Sequence, residues 1–150
     1  MIRMLMSLVL MGVMLLSGTS ASAQAVQRTA LHDFRVVTVA DGLVQPWSMA
    51  FLPGGDMLIT ERPGRLRIVR NGKLLPNAVE GVPPVVYAGQ GGLLEVAVHP
   101  NFATNRLLYL TYSKAKASDP KQATTGVVRG RFENDRLTDL QPIFESVSTG

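Results

Sequence analysis

The chain states one pattern twice. When PWSMAFLPGGDMLIT (Pro46–Thr60) is set above GLLEVAVHPNFATNRLLYLT (Gly92–Thr111), Ala50 falls on Ala97 and Pro53 on Pro100, a spacing of 47 (97 − 50 and 100 − 53). Thr60 then falls on Thr111 after a slightly longer turn. Each copy continues into a second hairpin, RLRIVRNGKL (Arg65–Leu74) in the first and VVRGRFENDRL (Val127–Leu137) in the second. Four short strands recurring every ~40–50 residues are the signature of a β-propeller blade, a small sheet that buries both faces only when neighbours pack on it.

The rest of the sequence agrees with an all-β chain. No stretch has convincing helical periodicity. Short apolar runs at Phe34 to Val39, Trp47 to Leu52, Met57 to Glu61, Arg65 to Arg70, Leu93 to Val98, Leu107 to Tyr112 and Gly126 to Phe132 predict strands. Turns are marked by PGGD at Pro53 to Asp56, RPG at Arg62 to Gly64, NG at Asn71 to Gly72 and END at Glu133 to Asp135. Propellers need about four to eight blades, whereas these strands supply two blades and an orphan strand at Phe34 to Val39. The orphan is expected to be an outer strand that closes the ring by pairing with the last blade. On this reading the chain is the N-terminal part of a longer protein.

Residues 1–23 combine an early charge at Arg3, an apolar run from Met4 to Leu16 and the small residues Ala21-Ser22-Ala23. This is the layout of a secretory signal peptide cleaved after Ala23. The run is too short for a stable membrane span, which takes ~20 apolar residues. Residues 24–150 are then the exported propeller portion. With no cysteine in the chain, disulfides and zinc thiolates are excluded and stability has to come from packing. A net charge of +4 gives no reason to expect nucleic acid. Arg62, Arg65, Arg67 and Arg70 crowd together but alternate with leucine, isoleucine and valine, which predicts the solvated face of a strand.

The loop GQGG (Gly89–Gly92) superficially resembles a phosphate grip. A phosphate loop, however, needs a helix N-terminus behind its glycines, and here LLEVAVHP follows, a strand ending in proline. In a propeller the loop leading into an innermost strand lies at the channel mouth, where glycines let a ligand approach the backbone. Gln90 is the only long polar side chain in that loop. Its amide both donates and accepts, which suits either a ligand or the loop's own backbone.

The strings GLVQPWSMAFLPGGDMLITERPGRLRIV (Gly42–Val69) and GVPPVVYAGQGGLLEVAVHPNFATNRLLYLTYS (Gly81–Ser113) resemble the N-terminal blades of the soluble pyrroloquinoline-quinone (PQQ)-dependent sugar dehydrogenases, the glucose/sorbosone or aldose sugar dehydrogenase family. The likeness runs from about Asp33 to Ser113 and on toward Phe144, and its most specific part is G-Q-x-G-L-L…H-P-x-F. It implies a six-bladed propeller holding PQQ at its channel mouth with a bound calcium ion. It also implies a histidine that takes the C1 hydroxyl proton of an aldose while hydride passes to the quinone, giving a lactone. Gln90 falls on the family glutamine that lines the PQQ and sugar pocket. The family's catalytic histidine, PQQ-pairing arginines and calcium ligands correspond to positions beyond Gly150. An external electron acceptor is required, and a periplasmic or secreted location follows from the leader.

Neither His32, near the mature N-terminus, nor His99, in the H-P-x-F turn, is that base; both are expected to be structural or solvated. Trp47 and Phe51 are expected to pack between blades. Glu95, which interrupts an apolar strand, is expected to take a structural role because an unpaired buried carboxylate is costly. Glu61 and Arg62 are expected to form a surface pair. Lys114 to Gln122 (KAKASDPKQ) is expected to be a flexible surface loop of a kind that can shape substrate access or a homodimer contact. Two other functions remain open. A lactonase-like propeller would need carboxylate and asparagine ligands converging on a metal, of which no sign is seen, and a non-catalytic propeller would bind a carbohydrate or protein partner.

Overall fold

The structure is a computed structural model that describes residues 25–147; the expected signal peptide lies outside it. Of the described residues, those up to Val37 fall in one compact unit and those from Thr38 in another. The first contains a small hairpin, β1 (Val26–Gln27) paired antiparallel with β2 (Phe34–Arg35). The strand expected over Phe34 to Val39 is therefore shorter, and among the described residues it pairs with the preceding segment.

The second unit holds two four-stranded antiparallel sheets, each a simple meander. One consists of β3 (Pro46–Phe51), β4 (Met57–Glu61), β5 (Arg65–Arg70) and β6 (Lys73–Leu74). The other consists of β7 (Leu93–Val98), β8 (Leu107–Ala115), β9 (Ala123–Glu133) and β10 (Arg136–Glu145). Between β7 and β8 the longer turn of the second copy is a single helical turn, α1 (Phe102–Asn105), which ends on Arg106 in the left-handed region at φ 57. Four residues are too few to show helical periodicity, so the sequence pattern gave no warning of it.

Alternation decides which side chains enter the core. On β9, Thr124, Gly126, Val128, Gly130 and Phe132 are buried while their neighbours are half-buried or exposed, the period of two that one covered face produces. Leu58, Leu66 and Ile68 of the first sheet meet Leu93, Val96, Leu108, Leu110 and Val128 of the second in a shared apolar cluster that includes Phe102, Phe132 and Leu137. Burying such side chains contributes about 1.5–3 kcal/mol each, so the seam between the sheets is the main source of their cohesion.

The internal repeat is exact down to its irregularities. The β3–β4 ladder slips between Pro46 and Met49, and the β7–β8 ladder slips between Leu93 and Val96, positions equivalent under the 47-residue spacing. In each bulge a threonine hydroxyl takes the amide that the ladder releases: Ser48 N–H donates to Thr60 Oγ1 at 3.0 Å and Glu95 N–H to Thr111 Oγ1 at 2.9 Å. Thr60 Oγ1 donates in turn to the Leu94 carbonyl across the seam at 2.5 Å, so a repeated residue also joins the sheets. Bulges of this kind re-aim the strand beyond them.

Three further expectations need correction. Trp47 and Phe51 do not pack between the sheets: β3 turns Ala50 toward the shared core and leaves Trp47, Met49 and Phe51 50%, 56% and 61% exposed. Glu61 is not a surface residue but is fully buried. The arginines of β5 are not simply solvated: Arg65 and Arg67 both reach Glu61, at 2.5 and 3.4 Å, and Arg70 joins Asp56 and Asp135, each at 2.8 Å. The insertion after Lys114 is closed by Lys116 N–H to the Gln122 carbonyl at 3.0 Å and Gln122 N–H to the Asp119 carbonyl at 2.9 Å.

Candidate functional site: the Gln90 loop and its arginine clamp

Where β4 turns into β5, the chain passes beside the loop that leads into β7. Leu93 N–H donates to the Arg62 carbonyl at 3.0 Å, which fixes the start of β7 against the turn. Glycine is required at the crossing: Gly92 has φ +135, and a Cβ placed on it would lie 2.1 Å from the Arg62 carbonyl oxygen. The other side of the loop is held by Ser113, whose hydroxyl accepts from Gly92 N–H at 3.1 Å and whose amide donates to the Gly92 carbonyl at 2.8 Å.

The Arg62 side chain does not pair with Glu61. It reaches along the loop, where Nη2 donates to the Gly89 carbonyl and to the Gly91 carbonyl at 2.8 Å, while Nε donates to Gly91 at 3.1 Å. The two carbonyls flank Gln90. These bonds, with that from Gly91 N–H to the Ala88 carbonyl at 2.7 Å, hold the loop backbone; among the described residues the Gln90 side-chain amide has no hydrogen-bond partner, and Gln90 itself is exposed. The guanidinium also lies 5.8 Å from the centre of the Trp47 ring and 5.4 Å from that of Tyr87, within the range in which a cation is attracted to an aromatic face. Tyr87 donates its hydroxyl to Gln45 Oε1. Gln45, Trp47, Arg62, Tyr87 and Gln90 thus gather around one loop.

Beneath this group, Glu61 is the electrostatic floor. Burial pushes its carboxyl up, but the Arg65 hydrogen bond, the Val44 N–H at 2.6 Å and the charges of Arg65 and Arg67 outweigh it, and the net shift is downward. Glu61 is therefore an ionised structural anchor rather than a proton carrier. Glu95 is exposed on β7 and accepts from Ser48 Oγ at 2.8 Å. His99 stacks on Tyr109 with ring centres 6.1 Å apart, and its Nδ1 lies 2.9 Å from both the Asn101 amide nitrogen and Asn105 Nδ2. It organises the turn at the far end of β7 from Gln90. His32 is exposed in the first unit.

Sequence reasoning singled out Gln90 as a candidate and missed the residues that hold its loop. Arg62 was grouped with the alternating arginines, yet it stands in the RPG turn, outside the strand periodicity; that break in alternation was the available signal. Tyr87 and Gln45 carried none.

Residues 43–149 match the model of the glucose/sorbosone dehydrogenase family. The chain belongs to that family. Among curated relatives, the uncharacterised Synechocystis sp. protein slr1608 is 50% identical over 121 residues, 75% of this chain and 29% of the relative. Aldose sugar dehydrogenase YliI of Escherichia coli is 42% identical over 121 residues, 77% of this chain and 32% of the relative. Among solved structures, the PQQ-bound form of aldose sugar dehydrogenase from Streptomyces coelicolor is 28% identical with a TM-score of 0.65, covering 77% of this chain and 34% of that one. The chain thus spans about a third of the length of the family members it matches.

For this member of the glucose/sorbosone dehydrogenases, the donor set separates the two groups the family implies. A planar, carboxylated quinone needs hydrogen-bond donors held at an open loop, and Gln90, with a free amide on an anchored backbone, fits that need. Calcium needs six to eight oxygen ligands. Among the described residues no three His, Cys, Asp or Glu side chains converge on one point, so no calcium chemistry is derived from them. No helix among the described residues is long and apolar enough to cross a membrane.

Proposed function

We propose that this chain is the N-terminal portion of an exported quinoprotein that oxidises aldose sugars at C1 to lactones, its two sheets being the first blades of a six-bladed propeller. The observation that carries the reading is the Gln90 loop: an exposed amide with no partner among the described residues, set on a backbone that Arg62 and Ser113 hold from two sides.

The chemistry that PQQ supplies when bound is acceptance of hydride from C1. The residues of this chain supply position. Gln90 offers a donor and an acceptor on one rigid amide plane, able to hold a quinone or carboxylate oxygen on one side and a sugar hydroxyl on the other. Gly89, exposed and with open space where a Cβ would lie, lets a flat ligand come against the backbone. Proton removal from the C1 hydroxyl calls for a base with a pKa near neutrality. Neither His99, tied into its turn, nor Glu61, held ionised and buried, is placed for it; the family resemblance implies a histidine at a position corresponding to one beyond Gly150. Calcium, the external electron acceptor and a periplasmic location directed by residues 1–23 belong to the same reading.

The test is made on the full gene product. Loaded with PQQ and calcium, it should reduce an electron-accepting dye only when an aldose is present, and Gln90→Ala should lower that rate. A well-folded protein that neither binds PQQ nor turns over any aldose would refute the reading and favour a partner-binding propeller.

A further inference from the structure

We propose that Arg62 is the positioning residue of the cofactor pocket, acting on PQQ only through Gln90; this rests on the dehydrogenase reading above. The geometry is specific to a guanidinium. Two of its nitrogens serve two carbonyls, Gly89 and Gly91, that bracket a single residue. The planar fork fixes the direction between those carbonyls, which a lysine ammonium, a point charge on a flexible stem, cannot do. Gly89 is exposed, with open space where a Cβ would lie, and glycine visits many conformations at little cost, so this side of the loop is soft unless it is held. Without a clamp, Gln90 would sample several directions and a bound ligand would have to select one.

The surroundings of Arg62 point the same way. An arginine placed only for stability would be served by Glu61, the adjacent buried carboxylate, but Glu61 takes Arg65 and Arg67 instead. Arg62 is turned toward neutral carbonyls and braced beside Trp47 and Tyr87. Its third nitrogen, Nη1, is used by neither carbonyl. Trp47, half exposed on β3, has its place explained by this brace, whereas packing between the sheets did not account for it.

The experiment compares wild type, Arg62→Lys, Gln90→Ala and the double variant of the full gene product, each first checked for cooperative thermal unfolding. Amide exchange of the unliganded protein should be about tenfold faster at Gly91 and Gly92 in Arg62→Lys, with β4 and β5 unchanged. PQQ titration in excess calcium should give a dissociation constant raised roughly tenfold to a hundredfold, the scale set by small misplacements in a site. On the Gln90→Ala background the same substitution should cost less than about twofold, because coupled residues are not additive. Unchanged exchange, or full multiplicative loss in the double variant, would overturn the proposal. Wild-type protein that fails to bind PQQ refutes the dehydrogenase reading and the cofactor role together. Wild-type protein that binds PQQ, with a dissociation constant unchanged in Arg62→Lys, refutes the inference alone.

Discussion

Ser48 and Glu95 stand 47 residues apart, at the same place in successive copies of the repeat, and Ser48 Oγ donates to Glu95 Oε1 at 2.8 Å. Equivalent positions of two sheets have thus diverged into a donor and an acceptor that meet across the seam. The pair is solvent-exposed, so Ser48→Ala is expected to cost about 0.5–1.5 kcal/mol. Denaturant unfolding of the full gene product, in a double-mutant cycle with Glu95→Gln, should return a coupling within that range.

Thr60 carries more. It is fully buried, accepts from Ser48 N–H and donates to the Leu94 carbonyl, so Thr60→Val leaves buried backbone groups without partners. A loss of about 1–3 kcal/mol is expected, with Thr60→Ser recovering most of it. The equivalent Thr111 is only half-buried, and Thr111→Val should cost less in the same melts.

Glu61 makes stability depend on acid. Its folded pKa lies below the ordinary value of 4.5, so the unfolded chain takes up the proton first. The stabilisation is complete above the unfolded value and is lost as pH falls through the folded one. Thermal midpoints measured from pH 6 downward should fall less steeply in Glu61→Gln than in wild type below about pH 4.5. At neutral pH the variant should be destabilised by about 1–3 kcal/mol, because Arg67 loses a buried acceptor.

Gly92→Ala should be the most disruptive single-methyl addition to the loop. At φ +135 the residue is strained by any side chain, and its Cβ would meet the Arg62 carbonyl at 2.1 Å. A loss of about 2 kcal/mol or more is expected, from backbone strain together with the clash. Thermal unfolding should show it, and Gly54→Ala, where a Cβ meets nothing within 4 Å, should be nearly neutral in comparison.

Much of this architecture was legible in the sequence because repetition and alternation are themselves the physics of stacked sheets. Ala50 and Ala97, Pro53 and Pro100 announced the two meanders, and Met57–Glu61, Arg65–Arg70 and Leu93–Val98 form strands over the expected residues. β10 was hardly visible. It is the edge strand, its register slips twice around Asp139 and Pro142, and most of its residues are exposed, so no periodic apolar signal marks it. Of the candidate site, Gln90 could be found because a lone amide among glycines is conspicuous. Arg62 could not, since which carbonyls a side chain reaches depends on two turns meeting that are far apart in sequence. Glu61 was misplaced for a related reason: nothing local shows that Val44 N–H and two arginines converge on it.

Arg62 and Arg70 sit at opposite ends of the β4–β5 hairpin, and both cross to the second sheet: one grips the loop before β7, the other Asp135 in the β9–β10 turn. A seam pinned at both ends resists shear, because neither sheet can slide along its neighbour without releasing a pin. Five residue steps of strand, about 17 Å, separate the start of β5 from Arg70. Releasing either pin, the Arg70–Asp135 pair or the Arg62 grip, leaves the other to resist that sliding alone.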